Sequence, residues 1–311
     1  MSASATVRVP GSTANLGSGF DCVGIAVDRW IRVAARRDAP QGRLRLERSG
    51  ALASLTGPPE DDLLYRGFER ACRAAGREPP SGVVLEASSD IPIGRGLGSS
   101  AAAVVAGAVT ARALCQLDLD DTALATLCAA IEGHADNVAP SVWGGVMLVL
   151  QGGGPGAGAA GGLLFTPLEL HRSLVLVFAV PDFTLATERA RAVLPATVPH
   201  RTAVVAAARS AALVQGLARG DAALLAAGLD DVLHVPHRRA LVRGYDEVTA
   251  AARAAGAFGA TLSGSGSTLV AVASAERAPA VEAAMAQAWR GIGVTVETFR
   301  VTRPVSGYEV A

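Results

Sequence analysis

With 311 residues, half of them hydrophobic, the chain has material for two domains or one large one and is not of the disordered class. Its 28 basic and 28 acidic side chains balance, which removes any general electrostatic reason to bind nucleic acid or an anionic membrane. Recognition of an anion must therefore come from a local site, and that site has to be found along the chain.

Ala5 to Val9 alternates as a short strand and leads into PGSTANLGSGFDCVG, a segment rich in turn formers that carries Asn15 and Asp21. Turn capping by itself accounts for an Asn and an Asp in such a segment. Gly24 to Arg36 and Leu44 to Arg48 read as strands. Asp61 or Asp62 caps a helix through LLYRGFERACRAAG that stops at Gly76. A strand from Gly82 to Ala87 then delivers the most informative stretch, IPIGRGLGSSAAAVVAGAVTAR, from Ile91 to Arg112.

Glycines at 94, 96 and 98 let the main chain approach a ligand closely. The small-residue helix that follows points unpaired N–H groups and the positive end of its dipole back into the loop. Together they form a site for an anion, most naturally phosphate. Arg95 adds charge, and Ser99 and Ser100 can donate to a phosphate or lend an oxygen to magnesium. No Gly-Lys-Ser/Thr triplet follows, so this is not a Walker A loop, and Ser99 stands where a dinucleotide fingerprint needs its third glycine.

A helix from Asp120 or Asp121 runs to about Glu132 and ends in GHADNVAP. From Asn137 to Leu168 no residue is charged, but GGGPGAGAAGG (Gly152 to Gly162) interrupts the stretch. The apolar runs it leaves fall well short of the roughly 20 residues a membrane helix needs. That run reads as a mobile connector between strands at Val146 to Leu150 and Leu163 to Phe165. A strand from Ser173 to Pro181, core-packing helices between Thr202 and Gly228, and a strand–turn–strand unit GATLSGSGSTLVAVA follow. A helix from Ala278 to Trp289 and a strand from Val294 to Val301 finish the chain. Strands and helices alternate in both halves without a barrel period, which points to two α+β layers. Four scattered cysteines without C-x-x-C spacing, and an N-terminus without a signal-like apolar core, lead us to expect a soluble cytoplasmic protein with reduced thiols.

P-x-G-x-G-L-G-S-S-A-A, Pro92 to Ala102, resembles the phosphate loop of the GHMP small-molecule kinases, which include galactokinase, homoserine kinase, mevalonate kinase and phosphomevalonate kinase. The resemblance implies an α+β, two-domain GHMP kinase fold. An N-terminal domain like ribosomal protein S5 would take residues 1–155, and a ferredoxin-like α/β sandwich residues 156–311. It also implies that ATP lies along Pro92, Ile93, Gly94, Arg95, Gly96, Leu97, Gly98, Ser99, Ser100, Ala101 and Ala102. The base would sit near Asp62, and the third family motif, L-S-G-S-G-S with Gly264 and Gly266, would close over the phosphates. That motif commonly has Pro where this chain has Ser267, from which a slightly looser turn is expected.

Within the family, STANLGSGFDCVG, H-x-D-N-V-A at His134 to Ala139, and the segments around Arg191 and Arg238 resemble homoserine kinases. Asn15, Asp21, His134, Asn137, Arg191 and Arg238 are then the substrate residues, Asp21 facing an ammonium and the two arginines a carboxylate. Arg189 and Arg239 are the alternatives if the register shifts. Magnesium would take Glu132 and Ser99, with Ser100 the other candidate. The catalytic residues would be Ser99, Glu132 and Asn137. An amide takes no proton, so catalysis would rest on positioning and charge stabilisation, as a loose phosphoryl-transfer transition state permits. The resemblance thus implies phosphorylation of L-homoserine by ATP and Mg2+ in threonine biosynthesis, by an enzyme that forms a homodimer. Two other readings stay open: another GHMP kinase of the mevalonate type, and a non-catalytic nucleotide-binding sensor on the same fold.

Overall fold

The computed structural model describes residues 4–37, 42, 44–152 and 162–311. The elements in chain order begin with β1 (Ser4–Ala14), β2 (Val23–Arg37), β3 (Arg45–Gly50), α1 (Leu63–Ala74) and β4 (Val83–Ser89). Next come α2 (Ser99–Cys115), α3 (Asp121–Glu132), α4 (Val138–Trp143), β5 (Val146–Gln151) and β6 (Leu163–Leu168). The second half holds β7 (Leu174–Pro181), α5 (Thr187–Ala192), α6 (His200–Arg219), α7 (Ala222–Leu229), α8 (Val235–Arg238) and α9 (Tyr245–Ala254). It closes with β8 (Gly259–Leu262), β9 (Leu269–Ser274), α10 (Ala278–Gly291), β10 (Val296–Val301) and β11 (Glu309–Val310).

Two sheets carry these elements. The larger runs β11-β1-β2-β4-β3, and β2 also pairs with β5, which pairs with β6. Within it only β3 and β4 lie parallel. The smaller is antiparallel in the order β10-β7-β9-β8. β6 and β11 thus join the large sheet although they follow it late in the chain. The expected domain boundary at 155/156 and all of the expected connector but its ends, Gly152 and Gly162, lie outside the described residues; the Gly152 amide donates to Gly162 O at 3.2 Å.

β1 is longer than its sequence predicts. A bulge between Pro10 and Gly11 shifts the register, and Gly11 to Ala14 go on to pair with Val27 to Gly24. Segment STAN is therefore strand for most of its length, because ladder pairing outweighs the turn propensity of small polar residues. The bulge re-aims the strand end toward the site, as bulges beside functional clefts do.

α2 is buried all round from Ala101 to Ala111, which fits a helix of small apolar residues with no polar face. It packs with α1, α3 and the large sheet in one core, while Val177, Ala271, Val281 and Trp289 centre a second one in the four-stranded layer. Asp62 and Asp120 cap α1 and α3 by accepting from Leu64 and Ala123 amides. α4 and β11 were absent from the sequence expectation, being too short to show a period. Among the described residues no helix is long and apolar enough to cross a membrane, and all four cysteines are free.

Candidate active site

The loop between β4 and α2 lies at the meeting of the two layers. Gly94, Gly96 and Gly98 all have positive φ, at 66°, 76° and 67°. A Cβ on Gly96 would stand 2.1 Å from the Ser263 carbonyl oxygen, and one on Gly98 2.2 Å from Ser12 Oγ, so side chains are excluded at both. Backbone from three distant segments grips the loop: the Ser12 amide donates to Leu97 O (3.1 Å), Leu185 to Gly94 O (3.0 Å) and Thr268 to Arg95 O (3.2 Å). Ser263 Oγ donates to Gly96 O at 2.6 Å, and the Gly264 amide to Ala14 O at 2.8 Å. The turn carrying Gly264 and Gly266 therefore lies against the loop as a wall of main chain. The fully buried hydroxyl of Ser267 donates to Phe183 O at 2.5 Å and so ties the turn to the segment before α5.

Gly98 caps α2 without a side chain, leaving the first amides of a 17-residue helix open to the cavity. Ile93, Gly94, Gly96, Gly98, Ser99, Ser100 and Ala101 line that cavity, whose volume is about 630 Å³. Leu97 and Ala102 pack into the core and offer only backbone. Pro92 is half-buried and is not among the residues of the cavity wall. Arg95 departs from expectation, since its guanidinium donates to the Asp182 carbonyl (3.2 Å).

Glu132 meets Ser100 and not Ser99: Ser100 Oγ donates to Glu132 Oε1 at 2.6 Å. The hydroxyl one residue into the helix is the one its first turn aims at the end of α3. Burial pushes the Glu132 pKa up, and the Ser100 hydrogen bond and His134 oppose that shift. A hydroxyl and a carboxylate side by side at a helix N-terminus are a hard-oxygen pair suited to Mg2+ that also touches phosphate.

His134 stands between two carboxylates, Nδ1 3.0 Å from Asp136 Oδ1 and Nε2 3.9 Å from Glu132 Oε2. Burial alone would lower its pKa, but Asp136 and Glu132 outweigh burial and raise it. Nδ1 has only this ion-pair approach to Oδ1, and Asp136 Oδ2 is among the buried polar atoms without a hydrogen-bond partner beside the cavity. Such atoms are costly unless a ligand or water meets them. Asp136 also holds Asn137: its Oδ1 accepts from the Asn137 backbone amide (2.9 Å) and from Nδ2 (3.3 Å). Ser12 Oγ donates to Asn137 Oδ1 at 2.9 Å, which fixes the amide from the other side. Asp136 is the carboxylate of the H-x-D-N-V-A motif, but sequence reasoning gave it no role of its own.

At the far end Arg191 forks onto Asp21, with Nη2 to Oδ1 at 3.1 Å and Nη1 to Oδ2 at 3.4 Å. Asn15 Oδ1 accepts the Asp21 amide at 2.8 Å, and both residues hold positive φ, 59° and 54°. Arg238, 1% exposed, donates from Nε to Ala190 O at 3.0 Å. Burial and the nearby Arg191 lower its pKa from the ordinary guanidinium value. The alternatives fall away: Arg189 is exposed, and Arg239 faces outward onto Asp246. Asn15, His134, Asn137, Arg191 and Arg238 all line the same cavity as the loop, and Asp21 joins them through Arg191.

Asp62 lines it too, but its carboxylate is engaged, Oδ1 capping α1 and Oδ2 accepting from Arg48 Nε at 2.7 Å. Arg48 left no trace in the sequence. Leu46, Leu52, Leu55 and Pro58 give that end apolar walls suited to a flat aromatic base.

A glycine loop at a helix N-terminus, a backbone wall closing on it and a hydroxyl–carboxylate pair beside it define a small-molecule kinase of the GHMP class. The models of the GHMP kinases N terminal domain and the GHMP kinases C terminal match residues 62–145 and 213–291. The homoserine kinase of Trichormus variabilis (strain ATCC 29413 / PCC 7937) is 42% identical over 291 residues, covering 94% of this chain and 93% of that protein. That of Microchaete diplosiphon is 41% identical over 295 residues, covering 94% and 93%. The crystal structure of homoserine kinase from Cytophaga hutchinsonii ATCC 33406 superposes with a TM-score of 0.88 at 29% identity, covering 100% of this chain and 98% of that one. The chain belongs to the homoserine kinases of the GHMP family.

Proposed function

We propose that the chain transfers the γ-phosphoryl group of ATP to the side-chain hydroxyl of L-homoserine, giving O-phospho-L-homoserine and ADP in threonine biosynthesis. One observation carries this reading: two guanidiniums and an amide share a single cavity with the phosphate loop, and the Asp21 carboxylate pairs with one of those guanidiniums. Loop amides 94–98 and the leading turn of α2 hold the phosphates by their N–H groups and the helix dipole. Ser100 and Glu132 hold magnesium, which neutralises phosphate charge when bound. Arg191 and Arg238 bind the homoserine carboxylate, Arg through two parallel hydrogen bonds. Asp21 shares its charge between Arg191 and the incoming ammonium. Asn137, its amide fixed by Ser12 and Asp136, orients the hydroxyl and takes no proton. With no side-chain base, the hydroxyl proton passes to an oxygen of the transferred phosphoryl group and from there to solvent, and positioning and electrostatics supply the catalysis.

The enzyme works in the cytoplasm, where its four free cysteines stay reduced, and as a homodimer, the assembly that family resemblance implies. Sedimentation tests the dimer. A coupled ADP-release assay across homoserine, mevalonate, galactose and shikimate tests the reaction, with turnover of homoserine far above the rest expected. Preference for mevalonate or a sugar would replace this reading with the mevalonate-type one. Nucleotide binding without turnover of any alcohol would replace it with the sensor, against which the intact Ser100–Glu132 pair speaks.

A further inference from the structure

Arg238 needs a partner that holds it without cancelling its charge. Among the described residues no carboxylate pairs with it: within hydrogen-bond reach its guanidinium meets the Ala190 carbonyl and a ring nitrogen of His234. His234 is wholly buried, at the head of α8 and one helical turn before Arg238. Its Nε2 is 3.0 Å from Gly17 O, and its Nδ1 is 3.4 Å from Arg238 Nη1. A carbonyl only accepts and a guanidinium only donates, so the tautomer is fixed: Nε2 carries the proton and Nδ1 offers a lone pair. Phe20 stacks on the imidazole (centroids 4.7 Å, 17° apart), and the Arg238 guanidinium lies 5.0 Å from the same Phe20 ring. Asp231 Oδ2 accepts the amides of Leu233, His234 and Val235 at 3.0, 2.6 and 2.7 Å, which fixes where the imidazole is launched.

We propose that neutral His234 is a positioning residue for substrate binding, clamping the Asn15–Asp21 loop to Arg238 so that ammonium and carboxylate readers keep a fixed separation. The ring hydrogen-bonds both to the loop, at Gly17, and to the arginine. Burial lowers its pKa, in keeping with a ring that must stay neutral to accept from Arg238. A protonated ring would lose that lone pair and set a second positive charge against the guanidinium. Its neutrality also leaves the whole charge of Arg238 for the ligand, which a carboxylate partner would not.

This inference rests on the homoserine reading, and steady-state kinetics on His234→Asn, His234→Gln and His234→Ala test the two separately. Asn places an oxygen where Nδ1 stands and can accept from Arg238, whereas Gln places its NH2 near Nε2 and keeps only the Gly17 link. We expect His234→Gln to raise the KM for homoserine by about tenfold, His234→Asn to stay within about threefold of wild type, and both to leave the KM for ATP unchanged. His234→Ala should exceed both, and if it does not fold, the Asn and Gln pair decides. Equal homoserine KM values for Asn and Gln, or a parallel rise in the KM for ATP, would overturn the positioning role. Wild-type protein that phosphorylates no homoserine would instead overturn the reading on which it rests.

Discussion

The two ends of the cavity are built on different principles. The phosphate end is main chain: Gly94 to Ser100, contiguous in sequence, held by carbonyl and amide bonds to β1, to Leu185 and to the turn before β9. The end proposed for the substrate is side chain: Asn15, Asp21, His134, Arg191 and Arg238 come from positions more than two hundred residues apart. A backbone site tolerates no added atoms and depends little on which polar group is nearby. A side-chain site tolerates changes of shape and fails when one charge is removed. Phosphate is common to every kinase of the class, so its site can be rigid and generic, while the acceptor's zwitterion needs charges at set distances.

That contrast can be broken at each end. The largest effect belongs to the junction: Glu132→Gln, or EDTA added to the wild type, should lower kcat by on the order of 10² to 10³. Ser100→Ala should follow in the same direction, with Ser99→Ala the milder of the two, and magnesium titrations of the rate would show the order. Next comes the charge test. Arg238→Ala should raise the homoserine KM about 100-fold with the ATP KM unchanged, while Arg239→Ala on the outer face changes neither.

The backbone test is smaller in energy and opposite in kind. Gly98→Ala adds one methyl at φ 67° against Ser12 Oγ, and should cost about 1–3 kcal/mol of stability together with nucleotide affinity. Urea unfolding and ATP binding would measure both, and a variant as stable and as tight as wild type would refute the main-chain account. Smallest of all, Ser267→Ala removes a buried bond to Phe183 O and should cost about 1 kcal/mol with kcat intact. A wild-type melting temperature for that variant would show that the turn is held without this bond, by its contacts to the phosphate loop and β1.

The chain's own pattern of residues determined the helices α1, α2, α3, α6 and α10, most strands, and the phosphate loop, because each depends on neighbours within a few positions. Motif resemblance also singled out Asn15, Asp21, His134, Asn137, Arg191 and Arg238, which the fold brings to one cavity or to a side chain lining it. Tertiary structure alone decided that Ser100 and not Ser99 faces Glu132, that Arg95 turns away to Asp182, and that Ser267 bonds to Phe183. It alone carried β1 through Ala14, brought in Asp136 and Arg48, and set His234 between Gly17 and Arg238. The physical reason is range: propensity and periodicity act over a turn or a strand pair, whereas the direction of a side chain in a cavity is fixed by contacts hundreds of residues away.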